Sequence, residues 1–365
     1  MAPGAGRVRA FDWLRGIAVI VMVQTHALSL LEPGLRKGPL FARLQVIDGL
    51  VAPSFILAAG FSLALVQVRG ARSGGRGRRA LKSVRRIGEV LAVSAFMTWI
   101  WFPIFREPKW LLRIDILSCI GLSLLAALPL FAAFAQRPRL LAAVSLGLAL
   151  AVFLSTPAAN RIRSLPLAHL TGTTSGSVFP LFPWSGYVFL GGALGALCAL
   201  ASARAIAGAI GLLWAVGLAL WSAASRLHAA DPLGGFYICV NHAERWIIVL
   251  AFAFVLAASE NGLRGRWQQS APIRFVEVFG TSSLAAYFFH EAMLYWPLVF
   301  GFSFHAKWGD RLGWAGYWSL TALLIALTFA LSWVAGSIYD AGPRLRSALR
   351  ARSGRGDRGA GATLG

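Results

Sequence analysis

Residues 11–28 read FDWLRGIAVIVMVQTHAL, an apolar run that nonetheless carries Asp12, Arg15 and His26. A bilayer core about 30 Å thick is crossed by roughly 20 apolar residues, and in lipid the backbone must satisfy its own hydrogen bonds as a helix. At 100° and 1.5 Å per residue, Arg15 and His26 fall within ~20° of one face and ~16 Å apart along the axis. Asp12, Arg15, Met22 and His26 therefore share one stripe. The stripe has two readings. Asp12 and Arg15 are an i, i+3 pair that anchors a helix end, with His26 a hydrogen-bonded packing residue; or the three line a passage, because ionisable groups inside a span are costly and turn toward a cavity or a partner.

The rest of the chain repeats this apolar theme. Its 365 residues are 57% hydrophobic and 13% charged, and 14 are tryptophan. Mean hydropathy is +0.66. A soluble domain carries about a quarter charged residues, so the composition predicts an all-α, polytopic integral membrane helix bundle. On a 17–25-residue template about ten transmembrane helices are expected. They lie at 11–31, 45–68, 87–105, 112–134, 140–156, 181–202, 205–224, 244–260, 276–297 and 312–336. The net charge of +21 sits mainly in short alternate connectors, above all Arg69 to Arg86. With few aromatics interleaved for base stacking, this pattern marks the cytoplasmic side and not a nucleic-acid surface. Both termini are thus expected in the cytoplasm and the chain in the plasma membrane. Residues 1–340 form one transmembrane domain, and 341–365 a basic, disordered cytoplasmic tail near anionic lipid. The first run lacks a small-x-small cleavage site and reads as a retained helix. Cys119, Cys198 and Cys239 are scattered, so neither a disulfide framework nor a metal centre is expected.

His290, in VFGTSSLAAYFFHEAMLYWP, repeats the arrangement of His26 on another inside-to-outside helix at similar depth. Two imidazoles there would line one cavity. Glu291, its neighbour, should face elsewhere and be a poor direct partner for His290. Asp48 opens the second span in VIDGLVAPSF, either as an N-terminal cap or as the carboxylate that holds the His26 tautomer. Pro53 is expected to kink that helix, and Gly60 and Ser62 to allow close contact. Gly191, Gly192 and Gly195 should seat the sixth span tightly. Arg113 and Asp115 are two residues apart and cannot pair along one helix face, which suits an interfacial anchor. His169, His228, His242 and His305 fall in outer connectors without ligand spacing and are expected to be solvated.

Five segments, RVRAFDWLRGIAVIVMVQTHA, APSFILAAGFSLAL, RIDILSCIGLSLL, FPWSGYVFLGGALG and FGTSSLAAYFFHEAML, resemble in that order signatures of bacterial proteins related to the heparan-alpha-glucosaminide N-acetyltransferase catalytic domain. The spacing of Arg15 and His26 is also similar to the Arg, ten residues, His pattern of the acyltransferase-3 group. The resemblance implies an enzyme that takes an acyl group, commonly acetyl, from cytoplasmic acyl-CoA and places it on a sugar or glycan across the membrane. In the heparan enzyme the transferring histidine lies in the outer loop ahead of the acid matching Asp48, and LEPGLRKGPLFARLQVI contains none. The candidate falls instead on His26 through the bacterial relatives and the acyltransferase-3 pattern. On this reading His26, Asp48 and His290 are catalytic. Asp12 and Arg15, with the basic connector residues Arg79, Lys82, Arg85 and Arg86, would form the CoA site, where the cations receive its phosphates.

A transporter or flippase with a histidine proton relay is the competing class, and it predicts inverted repeats and matched broken helices. A non-catalytic scaffold predicts that His26, Asp48 and His290 stay apart.

Overall fold

The structure is a computed structural model and describes residues 8–71, 76–102, 104–164, 167–172, 176–199, 203–262, 269–297 and 301–359. The described residues form α-helices α1 (Arg9–Ala27), α2 (Pro39–Asp48), α3 (Val51–Ala71), α4 (Arg76–Trp101), α5 (Ile116–Ala133), α6 (Pro138–Ala159) and α7 (Leu167–Thr171). They continue with α8 (Leu181–Cys198), α9 (Ala203–Ala230), α10 (Tyr237–Gly262), α11 (Ala271–Thr281), α12 (Ser283–Tyr295), α13 (Phe304–Trp308) and α14 (Trp314–Gly359). Among the described residues eight helical segments are long and apolar enough to cross a membrane, and the protein is an all-α polytopic membrane bundle. The two further expected spans fall on α4 and on α11–α12. Six Arg and Lys residues occupy the first eleven positions of α4, which keeps that half out of an apolar solvent. The ninth expected span is divided at Ser282, where φ is −110° and ψ 27°.

Three expectations change at helix ends. Asp48 closes α2 and does not open the second span. Pro53 lies in the first turn of α3, where its missing N–H has no helical partner to lose, so it starts that helix without kinking it. The backbone of α14 continues helically to Gly359, through most of the basic tail; 360–365 lie outside the described residues.

Two apolar cores hold the bundle. The larger draws on α3, α5, α6, α8, α9 and α10 together with the first turns of α1, where Phe11 stacks on Phe61 with ring centroids 3.6 Å apart. Its tightest seam is α3 on α8. A Cβ on Gly191 would lie 2.0 Å from the Leu57 carbonyl oxygen, one on Gly60 2.1 Å from that of Val188, and one on Gly195 2.4 Å from that of Phe61. Without an apolar driving force between helices in lipid, such backbone approach supplies the dispersion contacts that hold them together. The smaller core gathers the later turns of α1 with α11, α12 and α14, around Phe279, Leu324 and Tyr317. α1 therefore stands at the junction of both cores.

The N-terminal end of α1 is pinned from the other chain half. The Glu260 carboxylate accepts from the backbone N–H groups of Arg9 (3.0 Å) and Ala10 (2.9 Å), satisfying donors that the first turn leaves open. Glu277 accepts from Arg9 Nε at 2.6 Å and from Trp13 Nε1 at 3.0 Å.

Candidate functional site

A cavity of about 980 Å³ runs along α1 between the two cores. Arg15 lines it toward the N-terminal end of α1, His26 toward the C-terminal end with Glu291 beside it, and apolar side chains such as Met22, Phe55 and Leu124 also line it. Helical periodicity explains why α1 offers Arg15, Met22 and His26 to one space, as their spacing required.

His26 is met by α12. Its Nδ1 lies 2.6 Å from Glu291 Oε1, and the same oxygen lies 3.6 Å from His290 Nε2. The two imidazole rings stand edge to face with centroids 5.1 Å apart. His290 is fully buried; its Nδ1 lies 2.9 Å from the Ala286 carbonyl oxygen, which requires a proton on that nitrogen. Among the described residues His290 Nε2 has no hydrogen-bond partner. Tyr295 donates to the His26 carbonyl and to Ser29 Oγ, both at 3.2 Å, and fixes the outer end of α1.

Glu291 is the residue that sequence reasoning misplaced. Adjacent side chains on one helix diverge by about 100°, but a glutamate has enough reach for its carboxylate to turn toward a third residue between them. Asp48, expected to orient His26, is bound one step away: Thr25 Oγ1 donates to its Oδ1 at 2.9 Å, and Gln45 lies 3.4 Å from Oδ2. Among the described residues no hydrogen bond joins Asp48 to His26, and Glu291 occupies that position.

Arg15 pairs with Asp12 across one helical turn, and Asp12 itself is buried. Arg79, Lys82, Arg85 and Arg86 do not line the cavity. Arg79 packs at the α3–α4 corner against Gly70, while Lys82, Arg85 and Arg86 are exposed, with Arg85 Nε 3.2 Å from Glu89. Val90, one turn beyond Arg86, does line the cavity.

The solvated reading of the outer histidines fails at two of them. His242 is buried in α10, with Nδ1 3.1 Å from the Tyr187 hydroxyl, and His169 is buried with Nδ1 3.5 Å from Ser177 Oγ. Connector composition marked these positions as wet, but α8 folds over both regions.

Two chemistries suit the trio at the cavity. A carboxylate on His26 Nδ1 leaves Nε2 with the lone pair of a general base. The ligand atoms of His26, His290 and Glu291 also lie within 4.8 Å of one another, a donor set compatible with a divalent metal ion.

Comparison with known proteins separates α1 from α12. No curated protein matches the chain. The family model described as heparan-alpha-glucosaminide N-acetyltransferase, catalytic, matches residues 7–226, which include Arg15, His26 and Asp48 but neither His290 nor Glu291. With more than half of its length matched, the chain belongs to the heparan-alpha-glucosaminide N-acetyltransferase catalytic family.

Proposed function

We propose that the protein is a plasma-membrane acyltransferase that moves an acetyl group from cytoplasmic acetyl-CoA, or a related acyl-CoA, to a hydroxyl or amine of a sugar or glycan on the opposite side. The observation that carries this reading is one cavity lined by the Arg15 guanidinium toward one end and the His26–Glu291 pair toward the other. CoA is too large and too charged to cross lipid, so its phosphates would stay at the inner mouth. There Arg15 supplies the attractive field, with Arg79, Lys82, Arg85 and Arg86 on the first turns of α4 adding to it from outside the cavity. The pantetheine arm would lie along the apolar wall, and the ~16 Å rise from Arg15 to His26 suits an extended arm.

His26 Nε2 then takes the proton of the acceptor as its oxygen or nitrogen attacks the thioester carbonyl carbon. Collapse of the tetrahedral adduct breaks the carbon–sulfur bond, and His26 returns the proton to the thiolate, leaving CoA as the free thiol. Glu291 holds the tautomer and stabilises the imidazolium that forms. His290 braces Glu291, and Asp48 positions the outer turn of α1 through Thr25.

The test is transfer of labelled acetyl from acetyl-CoA by purified full-length protein in nanodiscs to a panel of sugars. His26→Ala should lose about 10²–10⁴-fold in rate; full activity in that variant would overturn the assignment. Dialysis against a chelator should leave the rate unchanged. Loss on chelation with recovery on added zinc would reassign the trio as metal ligands.

The competing transporter reading draws on the interruptions between α2 and α3 and at Ser282. It predicts proton-coupled flux of a sugar into vesicles without acetyl-CoA, and such flux would favour it.

A further inference from the structure

Two arginines in the same cavity have no role in the acyl-transfer step. Arg113 lies two residues before the Asp115 cap of α5, and Arg245 lies in the third turn of α10; both line the cavity that His26 reaches. Each guanidinium lies over an aromatic ring, Arg113 4.4 Å from the centroid of Phe102 and Arg245 5.8 Å from that of Trp184. Among the described residues neither has a carboxylate within ion-pair distance, and Arg113 Nε is buried without a hydrogen-bond partner.

The acids around them are already engaged. Asp115 accepts from the Ser118 backbone N–H at 2.6 Å and from Ser94 Oγ at 2.8 Å. Glu244 accepts from Trp221 Nε1 at 3.2 Å, and Asp48 from Thr25. Arg245 lies inside the span-length helix α10 and Arg113 just ahead of the α5 span; a guanidinium withdrawn from water there is costly unless an anion meets it, and its planar fork is matched to the oxygens of a carboxylate or phosphate. Trp184 also lines the cavity and adds apolar aromatic surface against which a sugar ring can pack.

We propose that Arg113 and Arg245 are an anion clamp for the acceptor: the sugar that presents its hydroxyl or amine to His26 also carries a carboxylate or phosphate, held by these two arginines. This deepens the acyltransferase reading and rests on it for the identity of the ligand as acceptor. Arg15 at the other part of the cavity is paired with Asp12 and serves the donor, so the two cationic positions separate the two substrates along one passage.

The test measures binding of glucose, glucuronic acid and glucose 1-phosphate to full-length protein in nanodiscs, first without donor and then during acetyl transfer. One or both acids should bind at least tenfold more tightly than glucose, and the carboxylate and phosphate arms identify which group is taken. Arg113→Gln and Arg245→Gln should abolish that preference without changing CoA affinity. Arg113→Lys and Arg245→Lys should restore part of it, which separates loss of charge from loss of fold. Equal binding of glucose and the acids, no binding of either acid, or loss of CoA affinity in the glutamine variants would overturn the clamp. An acid preference without acetyl transfer would keep the clamp and remove the transferase reading; transfer indifferent to sugar charge and to both arginines would do the reverse.

Discussion

The α3–α8 seam and the α1–α12 seam both join neighbouring helices, yet they are built in opposite ways. At the first, glycines let backbone meet backbone, and a Cβ on Gly191 would intrude to 2.0 Å of a carbonyl oxygen. At the second, two histidines and a glutamate keep the helices apart beside an open cavity. Dispersion holds the first contact without any polar group, whereas the second places ionisable side chains where lipid would penalise them unless they pair. The contrast teaches that in this bundle rigidity and chemistry occupy different seams, with α1 belonging to both.

The most damaging way to break this comparison is to change the polar seam. Glu291→Gln keeps the shape of the side chain but removes the negative charge beside His26, and acetyl transfer should fall about 10²-fold or more, with Tm little changed. Next, Gly191→Leu should disrupt the packed seam: overpacking costs of about 1–3 kcal/mol or more are expected where backbone must move, read as a lower Tm in detergent. Gly147→Ala is its control, because nothing lies within 4 Å of a Cβ there, and Tm should hold. A smaller effect is expected from Arg15→Gln, which should raise KM for acetyl-CoA about tenfold while leaving kcat nearly intact, since it removes one charge-assisted contact worth roughly 1.5 kcal/mol. The smallest belongs to Lys82→Gln with Arg86→Gln. These exposed cations should alter KM by less than about threefold at physiological salt, with a larger effect at low ionic strength.

The polytopic character and most span positions were legible in the sequence because run length answers directly to bilayer thickness. Asp48 was legible as an acid close to the C-terminal end of α1, but not its partner. The α2–α3 junction made it the last residue of one helix and handed it to Thr25. The buried pair of His242 and Tyr187 was hidden because a connector's composition does not say which helix will cover it.

What the sequence by itself determined is everything that depends on one helix: that 11–31 is long and apolar enough to span, and that Arg15 and His26 share its face. Periodicity and rise are local properties, so a single chain segment carries them completely. Only the tertiary structure decided that α12 stands against α1, that Glu291 and not Asp48 takes His26 Nδ1, and that Arg113 and Arg245 converge on the same cavity. Those contacts depend on which helices neighbour one another and how each is rotated, and that is set by the packing of the whole bundle and not by the period of any one helix.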